Sequence, residues 1–85
     1  MMRPSKTLER IQAGARDLRF RDVLSLAQAL GFELARVSGS HHILRHPGFP
    51  ELLNLQDVHG SAKPYQVKQL MELVARYSLT LEDRR

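Results

Sequence analysis

Two residues, Gly39-Ser40, separate two strand-like segments, and this spacing limits the fold more than any other part of the sequence. The segments are residues 32–38 and 41–46. A connection this short joins antiparallel strands, so the sequence predicts a β-hairpin. Glycine at the first central position suits a type II′ turn, and a type I′ turn stays open as the alternative.

A third strand is predicted at residues 51–56, with Leu53 and Leu55 on one face. The other face of this strand carries Leu52, Asn54 and Gln56. The flanking segments, 47–50 and 57–63, are predicted to be loops. The first of them contains two prolines, which lack the N–H donors that a strand ladder needs.

Apolar residues at helical spacing predict a helix that begins near Phe20. The stripe consists of Phe20, Val23, Leu24, Ala27 and Leu30. Asp22 lies in the first turn, where negative charge suits the helix dipole, and Gly31 is placed for the left-handed C-terminal position. A shorter helix precedes it, with Ser5 as its candidate N-cap and Gly14 at its end.

A last helix is predicted to begin at Pro64, because proline has no N–H to lose at the first helical position. Its apolar stripe consists of Val67, Leu70, Met71 and Val74. The order is therefore helix, helix, three antiparallel strands, helix, which predicts an α+β fold of two layers. One face of the sheet has no evident cover.

The chain has 85 residues, enough for one small domain, 1–85. It has no cysteine, which excludes disulfides, thiolate catalysis and a cysteine-based zinc site. No apolar run approaches the roughly 18 residues that span a bilayer, and the N-terminus lacks the apolar stretch of a secretory signal. We therefore expect a soluble, cytoplasmic protein.

Lysine and arginine outnumber aspartate and glutamate by 13 to 9, a formal charge of +4, and the pI is near 10.1. A pI above 9 is typical of nucleic-acid-binding domains. Many small soluble proteins are this basic without such a partner, so charge alone leaves nucleic-acid binding open.

The four histidines are His41, His42, His46 and His59. Adjacent strand residues point to opposite faces, so His41 and His42 cannot bind one metal ion. His42 and His46 share a face but lie about 13 Å apart along the strand. No acidic residue accompanies them at ligand spacing, and we expect no metal and no other cofactor.

Other catalytic arrangements find little support. Ser40 is next to His41, but a turn residue and its neighbour do not make an oriented triad, and no third member is evident. The acidic residues are scattered over helix surfaces, which argues against a carboxylate pair. A single histidine acting as general acid and base is the remaining option, and a plain surface histidine is the alternative.

Three segments of the chain resemble the HicA family, the toxin half of HicA–HicB toxin–antitoxin pairs. They are LGFELARVSGSHHILRHP, LLNLQ and GSAKPYQVKQLMELV. The similarity runs from about Phe20 to Leu79, and its specific parts are Leu-Gly-Phe at 30–32, Gly-Ser-His at 39–41 and Lys63 before the last helix.

The resemblance implies a double-stranded-RNA-binding-domain-like fold, α-β-β-β-α, which agrees with the order predicted from periodicity. It also implies a ribosome-independent mRNA endoribonuclease (an mRNA interferase) in which His41 carries catalysis. Gly39 and Ser40 would form the turn that positions His41. Residues 1–19, with their own predicted helix, exceed the shorter family members and form an N-terminal extension.

On this resemblance the RNA supplies its own nucleophile, the 2′-OH, and His41 takes its proton. Lys63 is the candidate for compensating the phosphate charge, since it precedes a helix N-terminus. Arg36 and Arg45 are the candidates for holding the RNA backbone. Two further histidines, His42 and His59, are the candidates for supporting roles.

The implied partners are mRNA and a HicB-like antitoxin that covers His41, with no membrane and no DNA bound by the toxin itself. Two other classes of function stay open. One is a non-catalytic RNA-binding module, and the other is a protein-interaction domain that offers its exposed sheet edge to a partner strand. The strands lack an exposed aromatic triplet, which argues against a single-strand reader of the RRM kind.

Overall fold

The computed structural model describes residues 2–81, which form three helices and four strands. The helices are α1 (Pro4–Gln12), α2 (Phe20–Ala29) and α3 (Pro64–Tyr77). The strands are β1 (Glu33–Ser38), β2 (His41–His46), β3 (Phe49–Val58) and β4 (Ser61–Ala62). They form an antiparallel sheet in the order β1-β2-β3-β4, so the predicted α+β class is confirmed.

Two-residue turns join β1 to β2 and β3 to β4. Gly39 has φ +59 while Ser40 is not left-handed, which fits a type II′ turn and excludes type I′. His59 and Gly60 have φ +52 and +88, the paired positive values of a type I′ turn. This second turn joins β3 to β4, so the prediction of a loop over 57–63 is wrong.

The third strand also begins earlier than predicted, at Phe49 rather than at residue 51. Pro50 lies between the pairs His46↔Phe49 and Leu44↔Leu53, where the register shifts. Because the ladder is interrupted there, the missing N–H of Pro50 costs no regular strand hydrogen bond. Only residues 47 and 48 form the loop.

The core lies between the helices and one face of the sheet. Leu44, Leu53 and Leu55 supply the sheet's side of it and are at most 1% exposed. Of the α2 stripe, Phe20, Val23, Ala27 and Leu30 are buried as predicted. Leu26, outside the predicted stripe, is fully buried, whereas Leu24 is only half-buried.

The third helix begins at Pro64, as predicted, and buries Val67, Leu70 and Leu73. Met71 and Val74, which the predicted stripe included, are half-buried. The buried face is therefore rotated slightly from the predicted one.

The first helix packs against α2 and starts one residue before the predicted cap. Pro4 occupies the first helical turn and Arg3 is the N-cap, so the prediction that Ser5 caps the helix is wrong. Gly14, with φ +95, ends the helix region as predicted. No helix within residues 2–81 is long and apolar enough to span a membrane.

A stack of rings ties the end of α3 to the start of β3. The Tyr77 ring lies parallel to Phe49 at 4.0 Å between centroids, and the Tyr77 hydroxyl donates to Glu51, 2.6 and 2.7 Å from its two carboxylate oxygens. This bond lowers the pKa of Glu51 and raises the pKa of Tyr77. Arg76, 3.1 Å from the same carboxylate, lowers the pKa of Glu51 further.

Candidate active site on the open sheet face

One face of the sheet is not covered by α2 and α3, and we call it the open face. Strand pairing defines its members, since cross-strand partners share a face. In one row Ser38 pairs with His41 and His41 with Gln56; in the next row Arg36 pairs with Ile43 and Ile43 with Asn54. The alternating residues, among them Leu44, Leu53 and Leu55, point to the core.

His41 is half-buried on the open face, and its ring is held by Asn54 of the neighbouring strand. The His41 Nδ1 atom lies 3.3 Å from Asn54 Oδ1. An amide oxygen only accepts hydrogen bonds, so this contact places the proton of a neutral ring on Nδ1. The lone pair then lies on Nε2, which makes no hydrogen bond within the part of the chain that the structure describes.

The turn before His41 is fixed to β3 by two hydrogen bonds. Gln56 Nε2 donates to Ser40 Oγ at 3.2 Å, and the Asp57 N–H donates to the Ser40 carbonyl at 2.9 Å. Gly39 supplies the positive φ that the turn needs. Gly39 and Ser40 therefore stand directly beside His41 in a turn with little freedom to shift.

A buried amide links this row to α3. Gln66 is 2% exposed, and its Oε1 accepts the backbone N–H of Gln56 at 2.7 Å. Gln66 is not predicted from the sequence as a buried residue, because its side chain is polar. Its spacing was informative, since Gln66 precedes Leu70 by four residues and so lies on the buried side of the helix.

Lys63 directly follows β4 and is the N-cap of α3. Ala62 is buried and pairs with Asp57, so side-chain alternation turns the extended residue Lys63 towards the open face, next to the row of His41. The strand pairing itself ends at Ala62, because the Gln56 N–H donates to Gln66 Oε1. Lys63 is two strand spacings from β2, about 10 Å. It is half-buried, and its Nζ lies 5.8 Å from the centre of the Tyr65 ring, which is 57% exposed.

The two arginines proposed from sequence have different surroundings. Arg36 is exposed on the open face, one row from His41. Arg45 is also exposed, but its Nε lies 3.4 Å from Glu33 Oε1. Its charge is therefore partly compensated by Glu33, and Arg36 is the freer cation of the two.

The structure separates the other histidines from His41. His42 points to the opposite face, where its ring lies 4.6 Å from that of Phe20 and its Nδ1 lies 3.2 Å from the Ser40 carbonyl oxygen. His59 is exposed in the β3–β4 turn. Neither shares the open-face row of His41, so the arrangement assigns them no direct part in it.

His46 has a structural environment at the far end of β2. Its Nδ1 accepts the Gly48 N–H at 3.0 Å, so Nε2 carries the proton and donates to the Leu30 carbonyl at 3.1 Å. The ring also stacks on Phe49 at 4.4 Å. Among residues 2–81, no group of three or more His, Asp or Glu side chains is placed to hold a metal ion.

One comparison with known proteins gives a match. The family model of the HicA toxin of bacterial toxin–antitoxin systems matches residues 20–74. No curated protein and no solved structure matches the chain. The matched range contains the hairpin, Asn54, Gln66 and Lys63, and it leaves out α1 and the segment that leads to α2.

Proposed function

This chain belongs to the HicA family of toxins of bacterial toxin–antitoxin systems, and from this premise we propose that it is a metal-independent endoribonuclease that cuts mRNA with His41 as general acid and base. The supporting observation is the hydrogen bond between His41 Nδ1 and Asn54 Oδ1. It leaves the basic nitrogen, Nε2, as the atom available to an RNA strand on the open face.

The proposed reaction uses the 2′-OH of the RNA as nucleophile. His41 Nε2 takes the 2′ proton while the 2′ oxygen bonds to phosphorus, and the bond from phosphorus to the 5′ oxygen breaks. The protonated His41 then gives this proton to the 5′ oxygen, which yields a 2′,3′-cyclic phosphate and a 5′-OH end. Such acid–base assistance contributes roughly 10²- to 10⁴-fold in rate.

Charge stabilisation must supply a further part of the rate. Lys63 lies next to the row of His41, two strand spacings or about 10 Å from β2, and a flexible ammonium side chain can extend towards a phosphate bound between the two residues. Arg36 lies on β1, on the opposite side of β2 from Lys63, and one row away from His41. We assign Lys63 to the scissile phosphate and Arg36 to a neighbouring one, with Arg45 shared between RNA and Glu33.

A toxin of this family works with an antitoxin, and we propose a HicB-like protein that covers the open face and excludes RNA from His41. An mRNA substrate also places the active protein in the cytoplasm. The open face is the surface that must be blocked, because His41, Asn54 and Arg36 all lie on it.

The test is cleavage of a long labelled mRNA by purified protein in EDTA. The variants are His41→Gln and, as the matched control, His59→Asn, which removes an exposed imidazole at a left-handed turn position that asparagine tolerates. We expect wild type and His59→Asn to cut, and His41→Gln to lose at least about 100-fold in rate. Circular dichroism confirms that each variant is folded.

Two results would contradict the nuclease assignment, and a third would contradict only its independence of metal. Either His41→Gln cuts as fast as wild type, or wild type binds the RNA and leaves it intact. The second result would favour a non-catalytic RNA-binding module. Cleavage that EDTA abolishes would remove the metal-independent mechanism.

A further inference from the structure

The segment that precedes α2 extends the sheet beyond β4. The Ala62 N–H donates to the Leu18 carbonyl at 3.0 Å, and the Phe20 N–H donates to the Gly60 carbonyl at 2.8 Å. Between these bonds Arg19 forms an antiparallel bridge with Ser61. Arg19 therefore occupies a fifth strand position, and it lies just before the range that the family model matches.

Alternation of side chains places Arg19 on the open face. Its neighbour Leu18 is 3% exposed and belongs to the core. Ser61 pairs with Val58, which has the same strand parity as Gln56 on the open face. Arg19 is exposed, and its bridge partner Ser61 is exposed as well.

The open face has a strong excess of positive charge. Its cationic residues are Arg19, Arg36, Arg45 and Lys63, while Glu33, paired with Arg45, is its acidic residue among residues 2–81. The nearest acid along the chain, Asp17, lies 3.6 Å from Arg10 instead. Within the described residues Arg19 has no salt bridge that compensates its charge.

We propose that Arg19 binds a backbone phosphate of the RNA strand that crosses the open face, so that the N-terminal extension supplies a substrate-binding subsite. This inference rests on the proposed function, since it requires RNA on the same face as His41. Its ligand is the phosphodiester backbone, which matches the charge excess of the face.

The distance from His41 determines what the subsite can do. Arg19 is three strand spacings from β2 and two residues along the strand direction, which together give about 16 Å. That is too far for contact with the reacting phosphate. Arg19 thus binds a different phosphate of the same strand and contributes to affinity, with no effect on the chemical step.

The experiment uses the full chain and an unstructured, labelled oligoribonucleotide. Binding is measured at several salt concentrations in the His41→Gln background, so that the RNA stays intact, and kcat and KM are measured without that change. The variants are Arg19→Ala and Arg19→Lys. Lys6→Ala is the matched control, because Lys6 is an exposed cation in α1 of the same extension.

Arg19→Ala is expected to raise Kd roughly tenfold, the effect of losing one charge-assisted contact. It should also reduce the slope of log K against log salt by about 0.7, the value for one phosphate of a single strand. KM rises and kcat stays unchanged. Arg19→Lys keeps the salt slope, and Lys6→Ala leaves both slope and KM close to wild type.

If Arg19→Ala and Lys6→Ala changed Kd and the salt slope equally, the proposal would be overturned, because both effects would then come from the change in net charge alone. If Arg19→Ala cut RNA with the KM of wild type, the proposed Arg19 subsite would be contradicted and the nuclease assignment would remain. Arg19-dependent binding by a wild type that does not cut would support the subsite and contradict the nuclease. A chain that binds no RNA would contradict both.

Discussion

His41 and Asn54 sit on adjacent strands as diagonal neighbours, and the amide oxygen of Asn54 lies 3.3 Å from His41 Nδ1. In this position Asn54 fixes both the tautomer and the ring orientation of His41. It would act through the histidine and make no contact with the reacting atoms, which makes it a positioning residue.

Removing the acceptor at Asn54 is therefore expected to lower kcat and leave KM nearly unchanged. Asn54→Leu frees the ring to rotate, and misplacement of a reacting group by about 1 Å costs up to about 100-fold. Asn54→Asp keeps an oxygen acceptor and should retain more activity than Asn54→Leu. Steady-state kinetics on RNA measure the difference; equal losses in the two variants would argue against the positioning role.

The buried amide of Gln66 is expected to stabilise the fold at the row of His41. Gln66→Leu leaves the Gln56 N–H without its acceptor, at a cost of about 1–3 kcal/mol in the free energy of unfolding. Gln69→Leu changes an exposed glutamine of the same helix and should stay within about 0.5 kcal/mol of wild type. Urea denaturation compares them, and similar values for both would contradict the role of the buried bond.

Gly31 is expected to tolerate alanine much less well than Gly14 does. Both have left-handed φ values, +104 and +95, so alanine at either costs about 1–2 kcal/mol of backbone strain. A Cβ at Gly31 would also lie 2.6 Å from His46 Nε2, whereas one at Gly14 meets nothing within 4 Å. His46 is held by two hydrogen bonds, so Gly31→Ala should destabilise by at least about 1 kcal/mol more than Gly14→Ala. Urea denaturation tests this, and equal losses would show that His46 moves freely.

The pair of Glu51 and Tyr77 predicts a stability maximum between acid and alkaline pH. The pKa of Glu51 is lowered in the folded state, so its contribution is complete above the ordinary glutamate pKa and is lost as the pH falls through the folded value. The pKa of Tyr77 is raised, so its contribution is complete below the ordinary tyrosine pKa and is lost as the pH rises through the folded value.

Wild type and Glu51→Gln should accordingly differ in unfolding free energy at neutral pH and converge in acid. Urea titrations over a pH series measure this, with Glu72→Gln, an exposed change on α3, as the control. If wild type kept the same higher free energy of unfolding than Glu51→Gln in strong acid, the carboxylate charge would not be the source of the difference.

The sequence was sufficient for the hairpin because its turn is local. The Gly39-Ser40 spacing defines β1 and β2 within a few residues, and alternation places Leu53 and Leu55 in the core. The start of β3 was predicted too late because Pro50 was taken as a residue that a strand cannot contain. Pro50 is tolerated in β3 because the register shifts there, a feature that no composition rule reports.

Contacts between distant segments could not be predicted from the sequence. The bond between His41 and Asn54 requires the register of β2 on β3, which the shift near residue 45 alters. The position of Arg19 beside Ser61 requires the chain before α2 to return to β4. Both depend on tertiary packing. The sequence therefore predicted His41 as a candidate, but it predicted neither the Asn54 contact that holds the His41 ring nor the position of Arg19 at the far edge of the sheet.

Leu44 decides which of two neighbouring histidines faces the solvent. His41 and His42 are chemically identical side chains, and a shift of β2 by one residue would exchange their faces. The same shift would bring Leu44, fully buried in the structure, out into water, a loss of about 1.5–3 kcal/mol for that side chain, and it would turn the charge of Arg45, which is exposed in the structure, towards the core. Burial of a leucine that takes no part in the proposed chemistry therefore fixes the register of β2. That register in turn determines that His41, and not His42, lies on the open face.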